Sequence, residues 1–286
     1  METKNIFVVC SQQTKLVSCA ISQIAASADF TVTLKCDDEA DCTKANEKIK
    51  ENLQAKLSTG ELTEEQVTAA TGRIKTTTNL GDAKDAGIII ESLFEDESLI
   101  RKNLVELDQI CNPGTIILTN TPTLTVTSLA KETTRPERII GMHFIYFAPI
   151  MKVVEIVRGM LTSDTTFSAA EEFAKKLGQE IAISDDSPGF LSTRIWMVQI
   201  NEAANNAFNK LADPAGLAKL NRTISPKALS ILESADFIGL DNCVAKLQNL
   251  YNAYGETRFK PSPLLVQMVD GGQLGVKTGR GFFNYS

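Results

Sequence analysis

The stretch Asn5-Ile-Phe-Val-Val-Cys-Ser-Gln-Gln-Thr-Lys15 sets a short apolar, β-branched run directly before a polar loop. The run at residues 5–10 predicts a buried strand, and residues 14–28 predict the helix that follows it. The same alternation of strand and helix patterns continues to about Arg158. It predicts an α/β fold whose first part is a doubly wound, mostly parallel sheet.

Beyond this stretch, each further apolar pattern predicts one helix or strand. Thr63 and Gln66 have the spacing of a capping box, so a helix is expected to begin there. The patterns predict strands at residues 30–36, 85–93, 115–120, 138–144, 151–158 and 180–184, and helices at 38–57, 95–111, 125–132 and 165–177.

The character of the chain changes beyond Ser187-Pro-Gly189, where nearly all patterns are helical. Helices are predicted at residues 190–211, 237–254 and 261–271, the first being the longest of the chain. We therefore expect a sheet domain over residues 1–185 and an all-α domain over residues 186–286. The long apolar faces of the second domain favour a homodimer. The alternative is a monomer whose helices pack on the first domain.

The composition excludes several classes of protein. The 286 residues are 43 % hydrophobic and 22 % charged, which is not the balance of a disordered chain. No run approaches the roughly 18 apolar residues that a membrane helix needs, and the first residues lack the pattern of a signal peptide. The net charge of −6 argues against nucleic acid and anionic membranes as partners.

The six cysteines form no Cys-x-x-Cys pair, so free thiols in a reducing, cytoplasmic compartment are expected. The chain has a single histidine, His143, which excludes most histidine-rich metal sites. We expect no metal. The open question is whether this one histidine is functional.

Four segments, in this order and spacing, carry a specific signal. They are Gly141-Met-His-Phe-Ile-Tyr-Phe-Ala-Pro-Ile-Met-Lys-Val-Val-Glu155, Asp186-Ser-Pro-Gly-Phe190, Asp236-Phe-Ile-Gly-Leu-Asp241 and Leu274-Gly-Val-Lys-Thr-Gly-Arg-Gly-Phe-Phe-Asn-Tyr285. Together they resemble the 3-hydroxyacyl-CoA dehydrogenase family. The resemblance implies a Rossmann-like dinucleotide-binding domain over residues 1–185 and a helical dimerisation and substrate domain over 186–286. It also implies NAD as cofactor and oxidation of the 3-hydroxyl of an acyl-CoA.

The resemblance also assigns the reacting centre. His143 matches the family's base, which removes the hydroxyl proton, and Glu155 matches the glutamate that orients it. A carboxylate beside an imidazole fixes its tautomer, which suits a proton shuttle. The alternative is a His–Glu pair that serves packing only.

Other positions depart from the family pattern. Pro122 stands at the position of a serine that binds the substrate, and a proline cannot donate a hydrogen bond. Thr123 is the candidate substitute. Thr193 stands at the position of the family's asparagine, and Tyr146-Phe147 replace an Asn-Pro pair.

The loop after the first predicted strand, Cys10-Ser-Gln-Gln-Thr-Lys15, also departs from the family pattern, and we call it the nucleotide loop. The family's Gly-x-Gly-x-x-Gly lets the backbone approach the pyrophosphate. Cys10, Gln12 and Lys15 occupy the three glycine positions in this chain. Lys15 either offers its charge to a phosphate or is a solvated lysine. Asp37, next to the expected ribose carboxylate, either binds the ribose or caps the following helix with Asp38.

Three functions follow. The first is a 3-hydroxyacyl-CoA dehydrogenase-like oxidoreductase of fatty acid metabolism with weak or altered activity. The second is a catalytically inactive member, a pseudoenzyme, that binds acyl-CoA or a protein partner. The third is an acid–base acyl-CoA enzyme without hydride transfer.

Overall fold

The computed structural model describes residues 4–145, 153–224 and 229–285. The predicted strand at 151–158 begins outside this part of the chain, and the Tyr146-Phe147 pair also lies outside the described residues. The chain divides into two compact units. The first contains residues 4–121, 125–144 and 153–186. The second contains residues 122–124, 145 and the described part of 187–285.

The first unit is built on one eight-stranded sheet of order β3-β2-β1-β4-β5-β6-β7-β8. All neighbouring strands are parallel except β6 and β7. The strands are β1 (Asn5–Cys10), β2 (Thr31–Lys35), β3 (Ile74–Thr77), β4 (Ile88–Ser92), β5 (Ile116–Thr119), β6 (Ile139–Phe144), β7 (Val153–Arg158) and β8 (Glu180–Asp185).

Six helices accompany this sheet. They are α1 (Lys15–Ser27), α2 (Glu39–Ser58), α3 (Glu64–Gly72), α4 (Glu97–Ile110), α5 (Val126–Ala130) and α6 (Asp164–Lys176). Thr63 and Gln66 form the predicted capping box at the start of α3. All residues of β4, β5 and β6 are buried, as expected for strands covered on both faces. The predicted α/β fold with a doubly wound sheet is confirmed.

Two details of this unit differ from the sequence prediction. The strand β3 was not predicted, because its four residues are short, half exposed and carry a lysine and two threonines instead of an apolar run. The helix predicted at residues 14–28 begins one residue later, at Lys15, after a 3-10 turn formed by Gln12–Thr14.

The second unit is helical, with α7 (Ser192–Phe208), α8 (Pro214–Ile224), α9 (Ile231–Ile238), α10 (Leu240–Tyr254) and α11 (Pro263–Asp270). Its core includes Met197, Ile200, Leu240, Leu247, Leu250 and Phe259. The sequence predicted neither α8 nor a break in the helix at 237–254. Gly239 separates α9 from α10. Its φ is +94°, which breaks the helix, and a glycine stands there because residues with an L side chain rarely adopt that backbone conformation. The α7 helix has 17 residues, fewer than the 20 of α2, so the prediction that it is the longest was wrong.

The C-terminal segment folds around the buried carboxylate of Asp236. The backbone amides of Phe282 and Phe283 each donate to it over 2.9 Å, and the Tyr285 hydroxyl donates over 3.0 Å. A Cβ at Gly281 would lie 1.9 Å from Asp236 Oδ1, so only glycine lets the chain approach this closely. The glycine-rich tail is therefore a structural element.

A buried carboxyl group lies in the middle of the sheet of the first unit. Glu91 in β4 is fully buried, and it accepts hydrogen bonds from the Thr119 hydroxyl at 2.6 Å and the Leu93 amide at 2.7 Å. Burial raises the pKa of Glu91 to about 7, and these two donors oppose the shift. The group therefore releases its proton at a higher pH in the folded protein than in the unfolded chain.

None of the helices in the described residues is long and apolar enough to cross a membrane.

We expect the stability that Glu91 contributes to fall as pH rises, because its folded pKa lies above its unfolded value. Relative to Glu91→Gln, the wild-type chain should lose roughly 2–3 kcal/mol of unfolding free energy between pH 5 and pH 8. Urea unfolding followed by circular dichroism at the two pH values measures this difference. The exposed Glu106→Gln change on α4 is the control, and a pH-independent difference for Glu91→Gln would contradict the assignment.

Replacing Asp236 with alanine should destabilise the second unit by about 3 kcal/mol or more, because three donors lose a buried charged acceptor. Trp196, the single tryptophan, lies in this unit, so its fluorescence during urea unfolding reports the change. Asp270→Ala, at the exposed end of α11, should leave the midpoint nearly unchanged. Equal midpoints for both variants would show that the carboxylate does not hold the tail.

Candidate active site

His143 and Glu155 face each other across the antiparallel strands β6 and β7. The register pairs the two residues directly, and His143 Nδ1 lies 2.9 Å from Glu155 Oε2. Their side chains are 8 % and 1 % exposed. A buried carboxylate at this distance accepts the Nδ1 proton and thereby sets the tautomer of the ring. The two residues that the sequence assigned to proton transfer are therefore brought together.

Glu155 is held from a second side by β8. The Ser184 hydroxyl donates to Glu155 Oε1 over 3.4 Å, so each carboxylate oxygen has a hydrogen-bond partner. Sequence reasoning did not single out Ser184. The available signal was a polar residue near the carboxyl end of a strand, next to the strand that bears the glutamate.

Asn120 links the carboxyl ends of three neighbouring strands. Its Oδ1 accepts from the Phe144 amide at 2.8 Å, and its Nδ2 donates to Ser92 Oγ at 3.1 Å. Phe144 directly follows His143, so this amide fixes the backbone beside the histidine. Sequence reasoning assigned no role to Asn120, which lies two residues before Pro122.

Thr123 and Thr193 belong to the second unit, whereas His143 and Glu155 belong to the first. Both threonines are buried. Thr123 Oγ1 accepts a hydrogen bond from Asn249 Nδ2 at 3.1 Å, and its carbonyl accepts from the Gly189 amide at 3.2 Å. Thr193 lies in the first turn of α7. Their proposed contacts with the substrate stay predictions.

The nucleotide loop follows β1 in the first unit. Cys10 is the last, buried residue of β1, and its thiol donates to the Ser11 carbonyl over 3.2 Å. Lys15 opens α1, and its ammonium lies 2.5 Å from Asp41 Oδ1 in the first turn of α2. Only 15 % of the Lys15 side chain is exposed, so the alternative of a solvated lysine was wrong.

The two aspartates after β2 have different roles. Asp38 caps α2 by accepting the Asp41 amide at 2.8 Å. Asp37 does not cap the helix, and its Oδ2 accepts the Gln12 amide of the nucleotide loop at 3.1 Å. The capping alternative is therefore right for Asp38 and wrong for Asp37.

The sheet offers the crevice in which a dinucleotide binds. In the order β3-β2-β1-β4-β5, successive crossovers reverse direction at β1, and the carboxyl ends of β1 and β4 border this switch point. Ligands of open α/β sheets bind at such a point, with diphosphate on the first loop. The fold therefore fits a dinucleotide, whereas the loop amide of Gln12 already donates to Asp37.

Two family models match the chain. The 3-hydroxyacyl-CoA dehydrogenase NAD-binding domain matches residues 16–186, and the C-terminal domain of the same enzymes matches residues 189–285. The first match begins directly after Lys15, so the divergent loop lies outside it.

Similar proteins agree with this match. The 3-hydroxybutyryl-CoA dehydrogenase of Bradyrhizobium diazoefficiens is 38 % identical, over 93 % of this chain and 90 % of the relative. The probable 3-hydroxybutyryl-CoA dehydrogenase of Bacillus subtilis is 35 % identical, over 100 % and 98 %. The crystal structure of the (S)-3-hydroxybutyryl-CoA dehydrogenase of Ralstonia eutropha superposes with a TM-score of 0.84 at 33 % identity, covering 100 % of both chains.

These matches cover both units, and they confirm the family that the sequence segments indicate and NAD as its cofactor. The chain belongs to the 3-hydroxyacyl-CoA dehydrogenase family, oxidoreductases with an N-terminal NAD-binding domain.

Proposed function

We propose that the protein interconverts a short 3-hydroxyacyl-CoA and the corresponding 3-oxoacyl-CoA with NAD, as part of fatty acid metabolism. The observation that carries the proposal is the buried pair of His143 and Glu155, in direct register across β6 and β7. The names of the relatives support a four-carbon acyl group, because those in Bradyrhizobium diazoefficiens and Ralstonia eutropha are 3-hydroxybutyryl-CoA dehydrogenases.

His143 acts as the general base in the oxidative direction. Donation of the Nδ1 proton to Glu155 makes Nε2 the acceptor for the proton of the substrate's 3-hydroxyl. The carboxylate of Glu155 then stabilises the imidazolium that forms. In the reductive direction the same imidazolium returns its proton to the 3-oxygen. Ser184 keeps Glu155 in place through its second oxygen.

Bound NAD would supply the acceptor for the hydride that leaves C3 of the substrate. Cys10, Gln12, Lys15 and Asp37 are the residues proposed to border it. Thr123 and Thr193 are proposed to bind the substrate. Since the Gln12 amide donates to Asp37 and the Lys15 ammonium pairs with Asp41, we propose that weak cofactor binding limits the activity.

A second candidate function rests on the same loop. An inactive family member that binds acyl-CoA or a protein partner would tolerate a nucleotide loop whose groups are engaged internally. Such a pseudoenzyme would bind acetoacetyl-CoA and show no turnover with NADH. Consumption of acyl-CoA without NADH would instead support acid–base chemistry without hydride transfer.

The six free, buried thiols support a location in the reducing cytoplasm, which we also propose.

Reduction of acetoacetyl-CoA, followed by the absorbance of NADH at high enzyme concentration, tests the catalytic proposal. His143→Ala should lower kcat by about 10²–10⁴, the usual contribution of a general acid–base. Glu155→Gln should also lower kcat, because a glutamine can donate to Nδ1 and so favour the wrong tautomer. The KM for acetoacetyl-CoA should change little.

Glu180→Gln, an exposed change at the start of β8, is the matched control and should keep the wild-type rate. Undiminished turnover in His143→Ala would refute the assigned base. Absence of any NADH-dependent turnover in the wild-type protein would favour the inactive family member.

We propose further that the second unit forms a homodimer. Leu191, the N-cap residue of α7, is followed at helical spacing by Ile195 and Val198 within the helix, and the side chains of Leu191 and Ile195 are 54 % and 51 % exposed. Eight exposed large apolar residues lie in the described part of this unit, against four in that of the first. An apolar face of this kind is typical of a surface that a second copy covers.

Sedimentation velocity should show a dimer for the wild-type chain and a monomer for Ile195→Glu, because the change buries an unpaired charge in the proposed interface. Leu99→Glu, an exposed apolar position of the first unit, should stay dimeric. A monomeric wild-type protein would rule out this proposal.

A further inference from the structure

The nucleotide loop is closed by its own hydrogen bonds. The Ser11 amide donates to Thr14 Oγ1 over 3.2 Å, and the Thr14 amide donates to the Ser11 carbonyl over 3.1 Å. The Thr14 hydroxyl lies 2.5 Å from the Ser92 carbonyl at the end of β4. Groups that a dinucleotide loop normally turns toward a diphosphate are thus engaged within the protein.

The side chain of Asp37 makes a further contact with the nucleotide loop. Its carboxylate accepts the amide of Gln12, the residue at the middle glycine position, at 3.1 Å. The Asp37 side chain is 46 % exposed and lies 3.8 Å from the Lys35 ammonium, so it can move without breaking a buried pair. The negative charge of Asp37 would repel an anionic ligand. Lys15 does not neutralise it, because the Lys15 ammonium is paired with Asp41 at 2.5 Å.

We propose that the carboxylate of Asp37 takes the place of a diphosphate oxygen on the nucleotide loop and so competes with the cofactor. A carboxylate and a phosphate oxygen are both anionic acceptors for one backbone N–H, so they cannot occupy it together. The cofactor must displace Asp37 before its diphosphate reaches the Gln12 amide. Asp37 is then a residue that sets dinucleotide affinity, and this inference rests on the proposed function.

The alternative role of Asp37 predicts the opposite sign. An acidic residue after the second strand commonly binds the hydroxyls of the adenosine ribose, and its removal then weakens binding. A competitor, by contrast, tightens binding when it is removed. The sign of the change in affinity therefore separates the two roles without any assay of turnover.

Isothermal titration calorimetry with NADH, ADP-ribose and adenosine provides the test. Asp37→Asn and Asp37→Ala should lower the Kd for NADH and ADP-ribose by about tenfold, the factor for one hydrogen bond to a charged group. The Kd for adenosine, which has no diphosphate, should stay the same. Glu47→Gln, an exposed change of equal charge on α2, should leave all three affinities unchanged.

The other possible outcomes separate the competitor role of Asp37 from the proposed function. If the wild-type chain binds NADH and both Asp37 variants bind it equally or more weakly, the competitor role is wrong while the proposed function stands. If only the Asp37 variants bind NADH, the competitor role is supported and the proposed function of the natural chain fails. If no variant binds NADH or ADP-ribose, both are overturned.

Discussion

The antiparallel pairing of β6 with β7 is the constraint on which the proposed proton-transfer centre depends. It breaks an otherwise parallel sheet and sets His143 directly opposite Glu155, with Nδ1 and Oε2 2.9 Å apart. A buried carboxylate is costly unless it is paired and hydrogen-bonded. Here the imidazole satisfies one oxygen and Ser184 in β8 approaches the other, while Asn120 fixes the backbone next to the histidine. A one-residue slip of this register would turn the pair to opposite faces.

The candidate site in the first unit has two halves, the His143–Glu155 pair and the nucleotide loop, and they are built differently. The half proposed to move a proton has its polar groups arranged around the imidazole, and the residues that match the family's histidine and glutamate are both present. The nucleotide half keeps the strand, loop and helix of its fold, but Asp37 and Asp41 hold groups that the loop of a dinucleotide domain presents to a ligand. The residues proposed for the chemistry are thus separate from those proposed to set cofactor affinity. One can change while the other is preserved.

Much of the fold follows from the sequence, because long apolar runs and a capping box mark elements regardless of their neighbours. The strand β3 was missed since Ile-Lys-Thr-Thr has no apolar period, and the break at Gly239 was missed since it depends on a single positive φ. His143 and Glu155 were assigned because residues 141–155 resemble the family signature, and not from their spacing alone. The contact of Asp37 with Gln12 spans 25 residues and joins two loops, so no local pattern announces it. Ser184 likewise acquires its place only when β8 pairs with β7.

The activity proposed for this chain moves a hydride between NADH and the C3 carbon of an acyl-CoA. The most direct measurement is the mass of 3-hydroxybutyryl-CoA formed from acetoacetyl-CoA with NADH deuterated at C4 of the nicotinamide, using each of the two deuterated epimers in turn. The account predicts product that carries one deuterium with one epimer and none with the other. Acyl-CoA that is recovered unreduced, or converted to a product without deuterium from either epimer, would contradict it.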